Sequence, residues 1–356
     1  MNSVNPVLMG RGCRIAVLSA LAVALLPLAA QAQLGNAAAA TPAAPLATGV
    51  LAPADARAWL ARIQAAARGG NYQGTLVYST GGQVSSSRVW YFSVADQAYE
   101  RLEAQDGRQQ RIVRHNDRVH TFWPQSQVAV VEKRETLAAW TTTPQAVDPQ
   151  ALEQYELRRE GNARVAGRDA AVLLLWPRDA LRYAQRLWAD MASGLMLRAD
   201  VMAEAGGAQR VLESTAFSEV AIDVRPQPDS VLQIMRKLEG YQVLRPQQKL
   251  TTLDAEGWIL ARPIAGFRLA GCMRRGMETA GDGESVLQAV FTDGLSHVSV
   301  FVEPFRPDRH TAEVQAQQGA TATVMARQGE HWVTVVGDAP PATLKLFAVA
   351  FERRRP

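Results

Sequence analysis

The fold is decided between residues 72 and 132. Gly74-Thr-Leu-Val-Tyr-Ser is followed by Ser87-Arg-Val-Trp-Tyr-Phe-Ser-Val, Ala98-Tyr-Glu-Arg-Leu-Glu, Arg111-Ile-Val-Arg-His, Arg118-Val-His-Thr-Phe-Trp and Gln127-Val-Ala-Val-Val-Glu. Each run is short, rich in β-branched and aromatic residues, and alternates imperfectly between apolar and polar. Gly81-Gly82, Asp106-Gly107 and Asn116-Asp117 separate them. These residue types tolerate the positive φ of tight hairpin turns. The stretch therefore reads as an antiparallel meander. It forms one broad twisted sheet that must bury a face against something.

On the C-terminal side the pattern resumes at 155–159, 170–176, 183–189, 195–201 and 209–220, giving about eleven strands over 72–221 without βαβ alternation. Between the two groups, 136–149 is a Thr-rich polar loop carrying Trp140, and 152–155 reads as a helical turn. On the N-terminal side a helix is expected at 55–67. Pro53 precedes it, Gly69-Gly70 ends it, Trp59, Leu60 and Ile63 share one face, and Arg57, Arg62 and Gln64 share the other. Such a helix is the natural plug for a concave sheet. The fold class expected is mainly β (α+β): a half-closed antiparallel barrel with a plugging helix at 53–223, then a smaller, mostly β C-terminal domain.

Pro226 and Pro228 break the pattern, so 224–229 reads as the linker and 230–356 as the second domain. A short helix is expected at 230–237 and strands at 253–260, 267–273, 286–292, 298–303, 321–327 and 331–336. The polar stretch 305–318 reads as loop with some helix, and 344–351 fits helix or strand equally.

The first 32 residues form a secretory signal peptide. Arg11 and Arg14 precede an apolar run over 15–30, and Ala30-Gln31-Ala32 is a small-x-small cleavage motif. The apolar run is short for a membrane anchor, the alternative reading. Residues 33–52 are an Ala/Pro/Thr-rich flexible lead, and the mature chain is expected to be exported across the inner membrane. The chain's 38 Lys+Arg and 34 Asp+Glu give +4, and cleavage after Ala32 removes two arginines. Scattered arginines interleaved with acids argue against a nucleic-acid partner. After cleavage Cys272 is the one cysteine left, so no intrachain disulfide is available and an inert buried thiol is expected.

No catalytic constellation emerges. His115, His120, His297, His310 and His331 have no metal-ligand spacing, and GxSxG, GxGxxG and Walker patterns are missing. Glu100 and Glu103 point to opposite faces of one strand. No catalytic residue, metal or cofactor is expected. The aromatic residues Trp90, Phe92, Trp123, Trp176 and Trp188 lie on expected strands of the first domain. They serve as core, or they line an apolar cavity for a lipid or acyl chain, because one helix does not fill a wide half-barrel.

Three stretches resemble a known family: Asn71-Tyr-Gln-Gly-Thr-Leu-Val-Tyr; Arg164-Val-Ala-Gly-Arg with Leu181-Arg-Tyr-Ala-Gln-Arg-Leu-Trp-Ala-Asp and Ser193-Gly-Leu-Met-Leu-Arg-Ala-Asp; and Phe291-Thr-Asp-Gly-Leu-Ser-His-Val-Ser-Val-Phe-Val-Glu. Together, in this order, they look like the RseB/MucB family of periplasmic sigma-factor regulators. The resemblance implies an N-terminal domain similar to the lipoprotein carriers LolA and LolB. It implies a partner, the periplasmic segment of an RseA/MucA-type anti-sigma factor, shielded from the site-1 protease and released when lipid or lipopolysaccharide is sensed. On family grounds the second domain supplies partner contacts, with Phe291, Leu295, His297 and Phe301 as candidates. A homo-oligomer is compatible with this reading. Two others compete: a periplasmic lipid or lipoprotein carrier, which the first domain alone would satisfy, and a secreted enzyme, which the missing constellation disfavours.

Overall fold

The structure, a computed structural model, describes residues 48–133, 148–205, 207–276, 285–310 and 312–354. The expected signal peptide, most of the lead and most of the 136–149 loop lie outside them. Two large sheets pack within one unit, Leu46–Pro356.

The first sheet has 13 strands. The meander Tyr72–Thr80, Gln83–Val94, Gln97–Ala104, Arg111–His115, Arg118–Trp123, Val128–Lys133 forms as the sequence indicates. Tyr155–Val165, Arg168–Pro177, Ala184–Asp190, Met196–Ala205 and Ala208–Ile222 follow. The two groups join where Ala208–Ile222 pairs with Tyr72–Thr80. The sheet's edges, Gly49–Val50 and Gln242–Leu244, do not pair with each other, so the sheet stays open. Part of the expected lead is fixed here: Gly49 pairs with Arg159, and Leu51 N–H donates to the Leu157 carbonyl at 3.0 Å.

Helix α1, Pro53–Gly69, has Pro at its first turn and stops before Gly70. It buries Ala56, Leu60 and Ile63 against Tyr155, Leu157, Leu173, Leu175, Leu187 and Met196. A second cluster continues along the sheet through Tyr72, Leu76, Val89, Tyr91, Leu197 and Phe217. Tyr91 donates its hydroxyl to the Arg68 carbonyl at 3.1 Å, so this cluster lies under the C-terminal end of the same helix.

Helix α2, Pro228–Arg236, packs Val231 against Val113, Phe122 and Ala129 of the first sheet, with Ile234 and Met235 beside it. The next segment, Gln242–Leu244, adds to Val128–Lys133 in parallel. The chain therefore remains with the first sheet well past 224–229. Pro228 opens the helix at its first turn while Pro226 precedes the cap residue Gln227, and the apolar stripe of α2 returns the chain to the sheet it came from.

The second sheet runs Gln248–Leu250, Arg268–Gly276, Ser285–Thr292, His297–Pro304, His331–Gly337, Thr321–Gln328, Val314–Gln318, antiparallel throughout. Two of these strands, Gln248–Leu250 and Val314–Gln318, fall where the sequence suggested none, and the expected strand at 253–260 shrinks to Trp258–Leu260. The ambiguous 344–351 stretch is mostly helix α3, Pro341–Ala350, which buries Leu344, Phe347 and Ala348 against the sheet. Cys272 is buried in the same core, and burial pushes its thiol up to about 11.

Candidate functional site: the α1 side of the sheet and the joint

Alternation along each strand decides what can meet on the α1 side. Val89 and Tyr91 belong to the cluster under α1, so Trp90 and Phe92 turn to the other side. Trp90 lies there with guanidinium groups over its ring, Arg101 at 4.4 Å and Arg88 at 5.3 Å. Phe92 is buried opposite Tyr99 in register, beside the α2 cluster. Leu175 packs under α1, so Trp176 also faces away, against Leu174, Ala184 and Met202. Trp188 sits at a bulge and packs with Val172, Leu195 and Leu197. Trp123 follows Phe122, which meets α2, so it turns to the α1 side, half-buried and paired with Val128. The five aromatic candidates thus occupy separate surroundings and do not line one common cavity.

The α1 side has two halves. Beneath α1 it is mostly apolar, with Arg159 set against Trp59 at one side. Toward the meander's far end it is polar: Glu100 and Arg114 form a pair at 3.0 Å with Glu100 only 5 % exposed, and Tyr72 and Tyr91 stack beside it at 5.2 Å. Burial, then the Glu100 charge, raises the Tyr72 hydroxyl well above its ordinary value. Farther along, buried Glu132 accepts from Arg275 at 3.1 Å and from Gln248 at 3.4 Å, both on the second sheet.

That contact is one of three polar seams between the sheets among the described residues. The central seam is buried. Arg182 and Asp293, both fully buried side chains, approach at 3.3 Å. Arg182 also donates to Gln154 Oε1 at 2.9 Å and to the Ala265 carbonyl at 2.6 Å, and lies 5.2 Å from the Phe267 ring centroid. Tyr155 donates to Asp293 Oδ2 at 3.2 Å. Asp293 Oδ1 accepts the N–H groups of Leu295 and Ser296, which shapes the turn that Gly294 completes at φ +94. Thr343, on α3, donates to the Leu181 carbonyl at 2.8 Å. The third seam lies at the Gly319-Ala320 hairpin, where Ala320 N–H donates to Glu213 Oε1 at 3.0 Å and Gln317 to the Tyr183 hydroxyl at 3.1 Å. Gly319 has φ +61, and any β-carbon there would overlap Thr80 Oγ1.

Of the four partner candidates, Leu295 and His297 lie beside the central seam, while Phe291 and Phe301 stand on the flanking strands. Phe291 is core, packed on Phe347 at 5.1 Å. Leu295 packs against the α1 cluster of the first sheet. The His297 N–H donates to Asp338 at 2.6 Å, while its Nδ1 finds no acceptor and burial lowers its pKa. Phe301 is half-buried opposite Gln288 and Thr334. The segment 291–301 is therefore a joint element, with its centre turned toward the first sheet. Arg182, Asp293 and Tyr155 escaped sequence reasoning because their meeting spans more than a hundred residues; the 181–190 and 291–303 segments carried the only signal. Among the described residues no group of acidic, Cys or His side chains is arranged to hold a metal.

The fold is thus a plugged open sheet joined by polar seams to a smaller sheet. Residues 55–239 match the family model of the MucB/RseB N-terminal domain and residues 252–352 that of the MucB/RseB C-terminal domain. The chain belongs to the MucB/RseB family. It is 30% identical over 303 residues to the sigma factor AlgU regulatory protein MucB of Pseudomonas aeruginosa, covering 83% of this chain and 90% of that one. It is 25% identical to the sigma-E factor regulatory protein RseB of Haemophilus influenzae, over 77% of this chain and 84% of the relative. The MucB chain in the Pseudomonas aeruginosa MucA/MucB complex superimposes with a TM-score of 0.65 at 28% identity, over 85% of this chain and all of that one. A crystal structure of MucB bound to the periplasmic part of MucA gives 0.64 at 28% identity, with the same coverage.

Proposed function

We propose that this chain is a periplasmic negative regulator of an extracytoplasmic-function sigma factor. It binds the periplasmic segment of a membrane anti-sigma factor and shields it from the site-1 protease. Lipid or lipopolysaccharide, accumulating under envelope stress, releases that hold. The observation that carries the reading is the match of both halves, in order, to relatives named as sigma-factor regulators, one of them solved with its periplasmic partner. The seams support it physically: a partner and a lipid that favour different settings of the two sheets would oppose each other by linkage. The test is proteolysis. Site-1 protease is added to the anti-sigma periplasmic segment with and without this protein, then with lipopolysaccharide. Protection that lipid removes supports the whole reading. Cleavage at an undiminished rate in the presence of the protein overturns the shielding role.

A further inference from the structure

Arg159 stands on Tyr155–Val165 beneath α1 and is only 4 % exposed. Its Nη2 donates to Asn162 Oδ1 at 2.6 Å, and its Nε finds no acceptor. Among the described residues no carboxylate pairs with it. Neighbouring arginines differ: Arg158 pairs with Glu156 at 2.6 Å, Arg168 with Asp190 at 2.8 Å and Arg186 with Glu160 at 2.6 Å. The Arg159 guanidinium lies 5.6 Å from the Trp59 ring centroid. Arg62 approaches the same indole at 5.4 Å and donates only to the carbonyls of Met191 and Ala192, so it too has no carboxylate among the described residues.

Taking a guanidinium out of water without a counter-charge is unfavourable, and a single indole face offsets only part of the lost hydration. Burial alone pulls the Arg159 pKa down, with no negative neighbour opposing it. Trp59 and Arg62 are half-buried and Asn162 is exposed, which gives the group a rim that reaches solvent. Two cations sharing one aromatic ring, one of them desolvated and under-bonded, are complementary to a compact oxyanion.

We propose that Arg159, with Arg62 and the rim of Trp59 and Asn162, binds a phosphate group. The planar guanidinium offers two parallel N–H donors to two phosphate oxygens, and Nε is one of the donors left over. A free phosphate ion and a phospholipid headgroup present the same oxygens. In the lipid-release reading the site would take the headgroup end of the ligand, but the site itself does not require a protein partner.

The test uses the full mature chain. Inorganic phosphate is titrated while the fluorescence of Trp59 is followed, isolated by difference from Trp59→Phe. Flotation with phosphatidylglycerol or phosphatidylcholine vesicles runs in parallel. Arg159→Gln should bind phosphate at least about tenfold more weakly, because a charge-assisted forked contact is lost. Arg158→Gln, next in sequence but paired on the other side, should bind as the parent does. Arg159→Lys retains the charge without the fork and should fall between them; it decides the matter if the Gln variant loses its circular dichroism. Vesicle capture that free phosphate competes away, and that Arg159→Gln loses, assigns the headgroup as the source. Phosphate binding without vesicle capture assigns the free ion. Absence of phosphate binding, or affinity unchanged in both Arg159 variants, overturns the proposal, whatever the anti-sigma segment does.

Discussion

At the scale of single residues the joint is governed by charges that have left water. Arg182 and Asp293 are both fully buried and form an ion pair at 3.3 Å, with hydrogen bonds from Arg182 to Gln154 and the Ala265 carbonyl and from Tyr155 to Asp293. Removing one member leaves the other uncompensated. Arg182→Ala should therefore cost about 3–5 kcal/mol in urea unfolding, whereas replacing Arg182 and Asp293 together with apolar residues should cost less than that single change. A double variant as damaged as the sum of the singles would contradict the pairing. Asp338 gives the joint a pH dependence. Burial pushes its carboxyl up to about 7 from an ordinary 3.8; the His297 N–H pulls the other way, and Asp293 and Glu213 add to the rise. A raised carboxyl pKa means that the folded state holds the proton more tightly than the unfolded state. Stability then falls as pH climbs from about 4 toward about 7. Thermal melts should show Asp338→Asn flattening that slope, and an unchanged slope would assign it to other groups.

At the scale of elements, periodicity and turn chemistry carried most of the information. The strands from Tyr72 to Ile222 were legible because Gly, Asp and Asn punctuate alternating runs. Helix α1 was legible from Pro53, its apolar stripe and Gly69-Gly70. Its role as plug leads to a direct expectation: Leu60→Ala, at a fully buried position among Tyr155, Leu173 and Leu187, should destabilise by about 2–5 kcal/mol in denaturant titration. A cost near zero would mean that the α1 side is not the core. The faces of the aromatic candidates were not legible. A bulge resets the alternation at Trp188/Ala189, and for Trp90, Phe92, Trp123 and Trp176 alternation gives which neighbours share a face but not which face α1 covers, which only packing decides. Trp90 and Trp176 look like cavity lining in a linear sequence, yet both sit under arginines on the side away from α1. Helix α2 was visible as a helix, but its stripe of Val231, Ile234 and Met235 fits either sheet, and only packing shows which one it covers.

At the scale of the whole molecule, the two sheets meet through three polar seams: Glu132 with Arg275 and Gln248, Arg182 with Asp293, and Glu213 with Ala320. Such contacts are directional, and apolar ones accompany them: Leu295 on the α1 cluster, Leu181 on the second core, and Tyr183 and Leu212 with Ala320. This suits a protein whose output is holding or releasing a partner. Family membership was readable from three segments, two of which, 181–190 and 291–303, turn out to build the central seam. The central claim is that this chain binds an anti-sigma periplasmic segment. Calorimetric titration of the mature protein with the segment encoded in the same genome tests it most directly. Saturable binding that weakens when lipopolysaccharide is added is the predicted result; no heat of binding to that segment, from protein that is folded by circular dichroism, would contradict it.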